Sequence, residues 1–195
     1  MMSFEVPGTS KVELEKIAES ELLEFDPEML ETPKALNVER LLDLHMKKKY
    51  GWSCDPQRKD LLPTSAEAYS DPKSRTVVLP EETHQALDND GRARFTACHE
   101  YAHVVKHRLF MMMRMVALSE QAALAFRKKR MELPAYKCAE WQADYLAGAL
   151  LMPKKHILKI WQNSYGLEGL AIRVIMRIFL VSYTAAKKRL SHVCR

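Results

Sequence analysis

Residues 94–103 read Arg94-Phe95-Thr96-Ala97-Cys98-His99-Glu100-Tyr101-Ala102-His103, and the last five decide the fold. Two histidines stand four residues apart, with a glutamate directly after the first. On an α-helix such positions share a face, so His99 and His103 can reach one metal ion together. Glu100 falls on the adjoining edge, where a carboxylate can take a proton from metal-bound water. Random ordering of this composition, with its 7 His, gives the H-E-x-x-H pattern about 0.02 times per chain, which favours a metal site over coincidence. Apolar neighbours, Phe95 to Cys98 before and Val104-Val105 after, supply the stripe that seats the helix in a core.

A metal site needs more than two histidines, and residues 140–153 offer the rest. They read Glu140-Trp141-Gln142-Ala143-Asp144-Tyr145-Leu146-Ala147-Gly148-Ala149-Leu150-Leu151-Met152-Pro153. Alanine and leucine dominate, and the first proline is Pro153, so the segment predicts a buried helix ending there. Glu140 and Asp144 are one turn apart on one face. Two carboxylates on an apolar helix are costly to bury unless paired or metal-bound. A two-His-one-Glu zinc site uses Glu140 as the third protein ligand, and Asp144 then accepts a hydrogen bond from the free N–H of a ligand histidine. The opposing reading, two solvated acids on an exposed edge, loses ground beside the histidine motif. His107 continues the four-residue spacing, but about 6 Å further along the axis it suits a supporting or surface position better than the metal. Tyr136, Tyr145 and His156 are all candidate donors to an oxyanion, and the sequence does not choose among them.

Together these segments resemble the ImmA/IrrE-type metallopeptidases of bacteria and their mobile elements. Residues 94–103 are similar to that family's R-F-T-x-x-H-E-x-G-H, and residues 140–153 to its E-x-E-A-N-x-F-A-x-x-L-L-M-P. Phe179-Leu180-Val181-Ser182, Ala185-Ala186 and Arg189-Leu190 resemble its F-x-V-S-x-x-A-x-x-x-R-L tail. Three positions depart from the pattern: Ala102 stands for Gly, Gln142 for a second Glu, and Asp144 for Asn. The resemblance implies a gluzincin-like fold, with His99, His103 and Glu140 holding one Zn²⁺ per chain and Glu100 as the catalytic carboxylate. It implies a protein substrate, a regulatory protein such as a helix-turn-helix repressor or an antitoxin.

Composition sets the outer limits. At 195 residues, 47% hydrophobic and 28% charged, the chain suits a globular domain with a sizeable core. No apolar run approaches the ~20 residues of a membrane span, and the first residues lack the basic and apolar regions of a signal peptide. The four cysteines, Cys54, Cys98, Cys138 and Cys194, show no C-x-x-C spacing and read as free thiols of a reducing, cytoplasmic compartment. Cys98 and Cys138 read as buried packing residues. Residues 11–31 hold eight acids and two lysines, net −6, so with +5 overall the remainder carries +11. Short basic clusters such as Lys47-Lys48-Lys49, Arg127-Lys128-Lys129-Arg130 and Lys187-Lys188-Arg189 permit nucleic-acid contact but fit solvated helix ends better.

The expected organisation is an α+β, helix-rich domain with a small β-sheet beside the H-E-x-x-H helix. Residues 1–34 read as an acidic N-terminal arm or helix and 35–195 as the metallopeptidase-like domain. Helices are expected at 11–24, 36–49, 92–108, 115–131, 137–151 and about 168–178, with a last one capped by Ser182. Asp90 is placed to cap the helix at 92–108. Strands are expected at Ser65–Tyr69 and Arg75–Leu79 around Asp71-Pro72, and 51–64 reads as loop. Met111, Met112, Met113 and Met115 offer either an adaptable peptide-binding wall or lid and core packing. The functional expectation is zinc-dependent peptide hydrolysis, with Glu100 moving the proton. The alternative class is a metal-containing regulator that binds a protein partner or DNA without cleaving it.

Overall fold

In the computed structural model, which describes residues 5–58, 60, 68–117 and 134–194, the acidic segment forms helix α1, Lys11–Phe25. Ser10 and Glu13 close a reciprocal capping box at its start. Leu14, Ala18 and Leu22, four residues apart, bury one stripe of the helix in the main core. After α2 (Glu28–Glu31) the chain enters α3 (Val38–Arg40), which runs through a π-helical turn, Leu41–Met46, into α4 (Lys47–Tyr50). Gly51 ends it at φ 67°, the left-handed conformation glycine adopts without a Cβ penalty.

The sheet has the order β1-β3-β2, with β1 Ser53–Gln57, β2 Tyr69–Asp71 and β3 Thr76–Pro80. β3 is central. It pairs parallel with β1, Cys54 opposite Val77, and antiparallel with β2, Ser70 opposite Val77. Val77, Val78 and Leu79 are all buried, as a strand covered on both faces requires. Short helix α5 (Glu81–Gln85) follows directly.

The long helix α6 (Gly91–Ala117) begins where Asp90 accepts the backbone N–H groups of Arg92 and Ala93. A Cβ on Gly91 would lie 2.4 Å from the backbone nitrogen of Ser182, so only glycine admits this approach. Buried Arg94 then ties the helix start to the carbonyls of Leu36 and Leu87. Among the described residues four further α-helices follow: α7 (Ala139–Leu151), α8 (Lys154–Asn163), α9 (Glu168–Phe179) and α10 (Tyr183–Cys194). α7 packs against both α6 and α1. Its Ala139, Ala143 and Ala147 are fully buried, small enough to let the helices approach closely. The core is continuous from Leu14 and Leu22 of α1 to Phe179 and Leu190, and each buried leucine contributes about 1.5–3 kcal/mol.

This is the expected α+β, helix-rich, zincin-like arrangement with a small mixed sheet. Several local expectations change. The segment 51–64 is not all loop, because β1 occupies Ser53–Gln57 with Pro56 inside it. β1 is an edge strand, where a residue without an N–H is tolerated, and its half-exposed pattern carries no apolar alternation. The first expected strand lies at Tyr69–Asp71, and residues 65–67 lie outside the described residues. α6 continues past 108 to Ala117. From residue 118 the expected helix over 115–131, with the Arg127–Arg130 cluster, lies outside the described residues. Helix α8 was not expected; Ile157 and Ile160 bury its one apolar face. Among the described residues no single helix is long and apolar enough to cross a membrane.

Candidate metal centre

Helices α6 and α7 lie side by side and bring their polar positions together. His99 Nε2 lies 3.1 Å from His103 Nε2 and 3.3 Å from Glu140 Oε2. His103 Nε2 lies 3.6 Å from Glu140 Oε1. One ligand atom from each of the three residues falls within 4.8 Å of the others. Two imidazole nitrogens and one carboxylate facing a common point leave a fourth position open, a donor set that fits a divalent transition metal. His103 and Glu140 are buried, and His99 is nearly so.

Each histidine is held from behind. His99 Nδ1 is 2.9 Å from Asp144 Oδ1, and the other Asp144 oxygen accepts from Lys188 Nζ at 2.9 Å. Behind His103 stands His107, with the two Nδ1 atoms 3.0 Å apart, and His107 Nε2 is 3.1 Å from Gln142 Oε1. The donors in this chain can be assigned. The Gln142 amide nitrogen donates to the carbonyls of Pro7 and Tyr136, at 3.0 and 2.7 Å, so its oxygen must face His107. His107 Nε2 therefore carries the proton. Burial, and then the neighbouring His103, push the His107 pKa down to about 3 and keep the ring neutral. Its Nδ1 is thus an acceptor, and His103 donates from its own Nδ1. His103 Nε2, which faces Glu140 and His99, is then the nitrogen left to hold an ion.

Electrostatics match this geometry. Burial alone would raise the Asp144 and Glu140 carboxyls. The His99 and Lys188 bonds bring Asp144 down to about 2, and the two histidines hold Glu140 well below the usual carboxylate range. Burial would lower His99, yet Asp144 and Glu140 outweigh it and lift the ring to about 10. A cation bound here would compete with a proton for His99.

Glu100 is buried and turned toward the sheet, where the Ser70 hydroxyl of β2 donates to its Oε2 at 2.8 Å. Ser70 gives no local signal in the sequence, because the contact spans thirty residues. Gln142, two residues from Glu140, lies on a different face of α7, and that face is the one that meets His107. Of the oxyanion candidates, the Tyr145 hydroxyl donates to Glu15 and His156 Nε2 contacts the Met29 carbonyl, so both are engaged in the core, while Tyr136 is exposed. Cys98 and Cys138 are buried, and burial pushes the Cys98 thiol up to about 12. Of the methionines, Met111 packs on the core and Met113 is exposed; the Met115 side chain lies outside the described residues.

Residues 67–191 match the sequence model of the IrrE N-terminal-like domain, a peptidase family. A solved structure of a Mycobacterium tuberculosis transcriptional regulator resembles the chain with a TM-score of 0.58 at 20% identity. The likeness is one of fold; it covers 91% of this chain and 46% of the regulator, so the chain spans about half that protein's length. No curated protein matches the chain significantly by sequence.

Proposed function

Because the chain belongs to the family of IrrE N-terminal-like domains, we propose that it is a zinc-dependent metallopeptidase acting on a regulatory protein. The observation that carries this reading is the convergence of His99, His103 and Glu140 beside a buried carboxylate, Glu100, that a purely structural zinc site would not need. His99, His103 and Glu140 would hold the ion. When bound, zinc would polarise the scissile carbonyl and make water acidic enough to attack near neutral pH.

The remaining steps belong to the chain's own side chains. Glu100 accepts the proton of the attacking water and delivers it to the departing amine nitrogen. Ser70 holds one carboxylate oxygen and so fixes the direction of the other. Asp144 and His107 keep both ligand imidazoles turned to the ion. β2 pairs only with β3 among the described strands, and it lies against α6 at Glu100. An extended substrate segment added along that edge would run past the catalytic carboxylate. A helix-turn-helix repressor or an antitoxin remains the proposed substrate class.

A second reading, a metal-containing regulator that binds without cleaving, draws on the fold likeness to a transcriptional regulator. Glu100→Gln separates the two. With metal content matched to wild type, it should lose cleavage of a co-encoded regulator by about 10²-fold or more. Equal activity of the two proteins in cells, with no cleavage by either, would overturn the peptidase reading.

A further inference from the structure

A second trio of donors lies away from α6 and α7. Asp43 comes from the π-helical turn, Cys54 from β1 and His84 from α5, and one ligand atom of each lies within 4.8 Å of the others. The π-helical turn and α5 both pack on β1, at this edge of the sheet. His84 Nε2 stands 4.0 Å from Asp43 Oδ1, too far for a hydrogen bond. Donors around a tetrahedral ion with bonds of 2.0–2.3 Å stand about 3.3–3.8 Å apart, so modest side-chain rotation would close the set. We propose that Asp43, Cys54 and His84 form a second metal site, for a divalent ion of the zinc class, with water at the open position.

The donor types select the ion. Thiolate and imidazole disfavour magnesium and calcium, which want oxygen, and favour zinc, cobalt and cadmium. Cys54 is half-buried and His84 largely so, while Asp43 opens to solvent and gives an ion its entry. Burial, then Asp43 and Asp55, push the Cys54 thiol up to about 12. Without a cation the group therefore stays a protonated, unreactive thiol. An arriving divalent ion takes the sulfur as thiolate, the thiol proton leaves to solvent, and the carboxylates that opposed ionisation now face a positive charge. The π-helical turn is consistent with this use, since such turns are frequent at functional sites.

An ion here would clip the α3–α4 segment to β1 and α5. β1 and α5 flank β3, which in turn carries β2 and Ser70. The site would thus brace the sheet on the side opposite Glu100. It does not depend on the peptidase reading.

Sulfur makes the test specific, because the α6–α7 centre contains no thiolate. Metal-free, reduced full-length protein is titrated with cadmium while the ultraviolet thiolate-to-cadmium absorption is followed. Wild type should bind two equivalents, one of which develops the band. His99→Ala should keep the band. Cys54→Ser should lose it, and His84→Asn, which retains all four thiols, should weaken the band-forming equivalent by at least 10-fold. Circular dichroism checks that each variant is folded. Absence of the band at saturating cadmium in wild type, its survival in Cys54→Ser, or an unchanged affinity in His84→Asn would each overturn the proposal.

Discussion

Helices α1 and α7 both carry acids into the interior, and their partners differ in kind. On α1, Glu15 receives the two terminal guanidinium nitrogens of Arg189, at 2.6 and 2.9 Å, and the Tyr145 hydroxyl at 2.7 Å. Glu21 receives Lys49, Tyr50 and Tyr101, the last from within the H-E-x-x-H turn, while the His45 ring stands 3.6 Å away, outside hydrogen-bond distance. These donors keep their protons at any physiological pH, so the two acids are permanently tied and α1 is locked onto α6, α7 and α10. On α7, Glu140 faces two imidazoles, and Asp144 faces one together with Lys188; an imidazole can give up a proton and present a lone pair. Burial alone therefore does not assign a carboxylate its role; the chemistry of the facing group does.

The sharpest way to break this contrast is to remove one acid from each helix. Glu15→Ala leaves Arg189 buried without its partner and should cost about 3–5 kcal/mol in urea unfolding, while the folded fraction keeps its full metal equivalent. Glu140→Ala should do the opposite, with fold retained and metal affinity reduced by roughly 100-fold or more in competition with a chelator. If Glu140→Ala unfolds the chain and leaves the metal in place, the two helices do not divide their roles in this way.

A smaller effect is expected at Asp144. Its replacement by Ala should weaken metal binding by about 10–100-fold, and by Asn less, since Asn still accepts from His99. Unchanged affinity in Asp144→Ala would place it outside the metal centre.

The smallest effect lies in the acid limb of stability. Glu15 and Glu21 would be raised by burial, but Arg189 at the first and Lys49 with the two tyrosines at the second bring both below the ordinary value of 4.5. A depressed folded pKa means the stabilisation is complete above the unfolded value and is lost as pH falls through the folded one. Below about pH 4.5 the urea midpoint should decline, and the decline should be shallower in Glu15→Gln than in wild type. An equal slope in both proteins would show that other carboxylates govern acid unfolding.

Much of the candidate centre was legible because helical spacing is local. Four-residue intervals put His99 with His103 and Glu140 with Asp144, and no distant contact was needed to see it. The apolar run Thr76–Leu79 marked the central strand for the same reason. β1 was not legible, because an edge strand with a proline and half-exposed side chains carries no alternation.

By itself, then, the sequence determined which side chains share a helical face, where α6 and α7 run, and that two of those faces carry metal-ligand chemistry. The tertiary structure alone decided which face each one meets. It brought Arg189 to Glu15 across 174 residues, Ser70 to Glu100, Gln142 to His107, and Asp43 to Cys54 and His84. Backbone periodicity repeats every few residues and can be read from any short window. Long-range pairing depends on how the whole core closes, and that is set by all the buried faces at once.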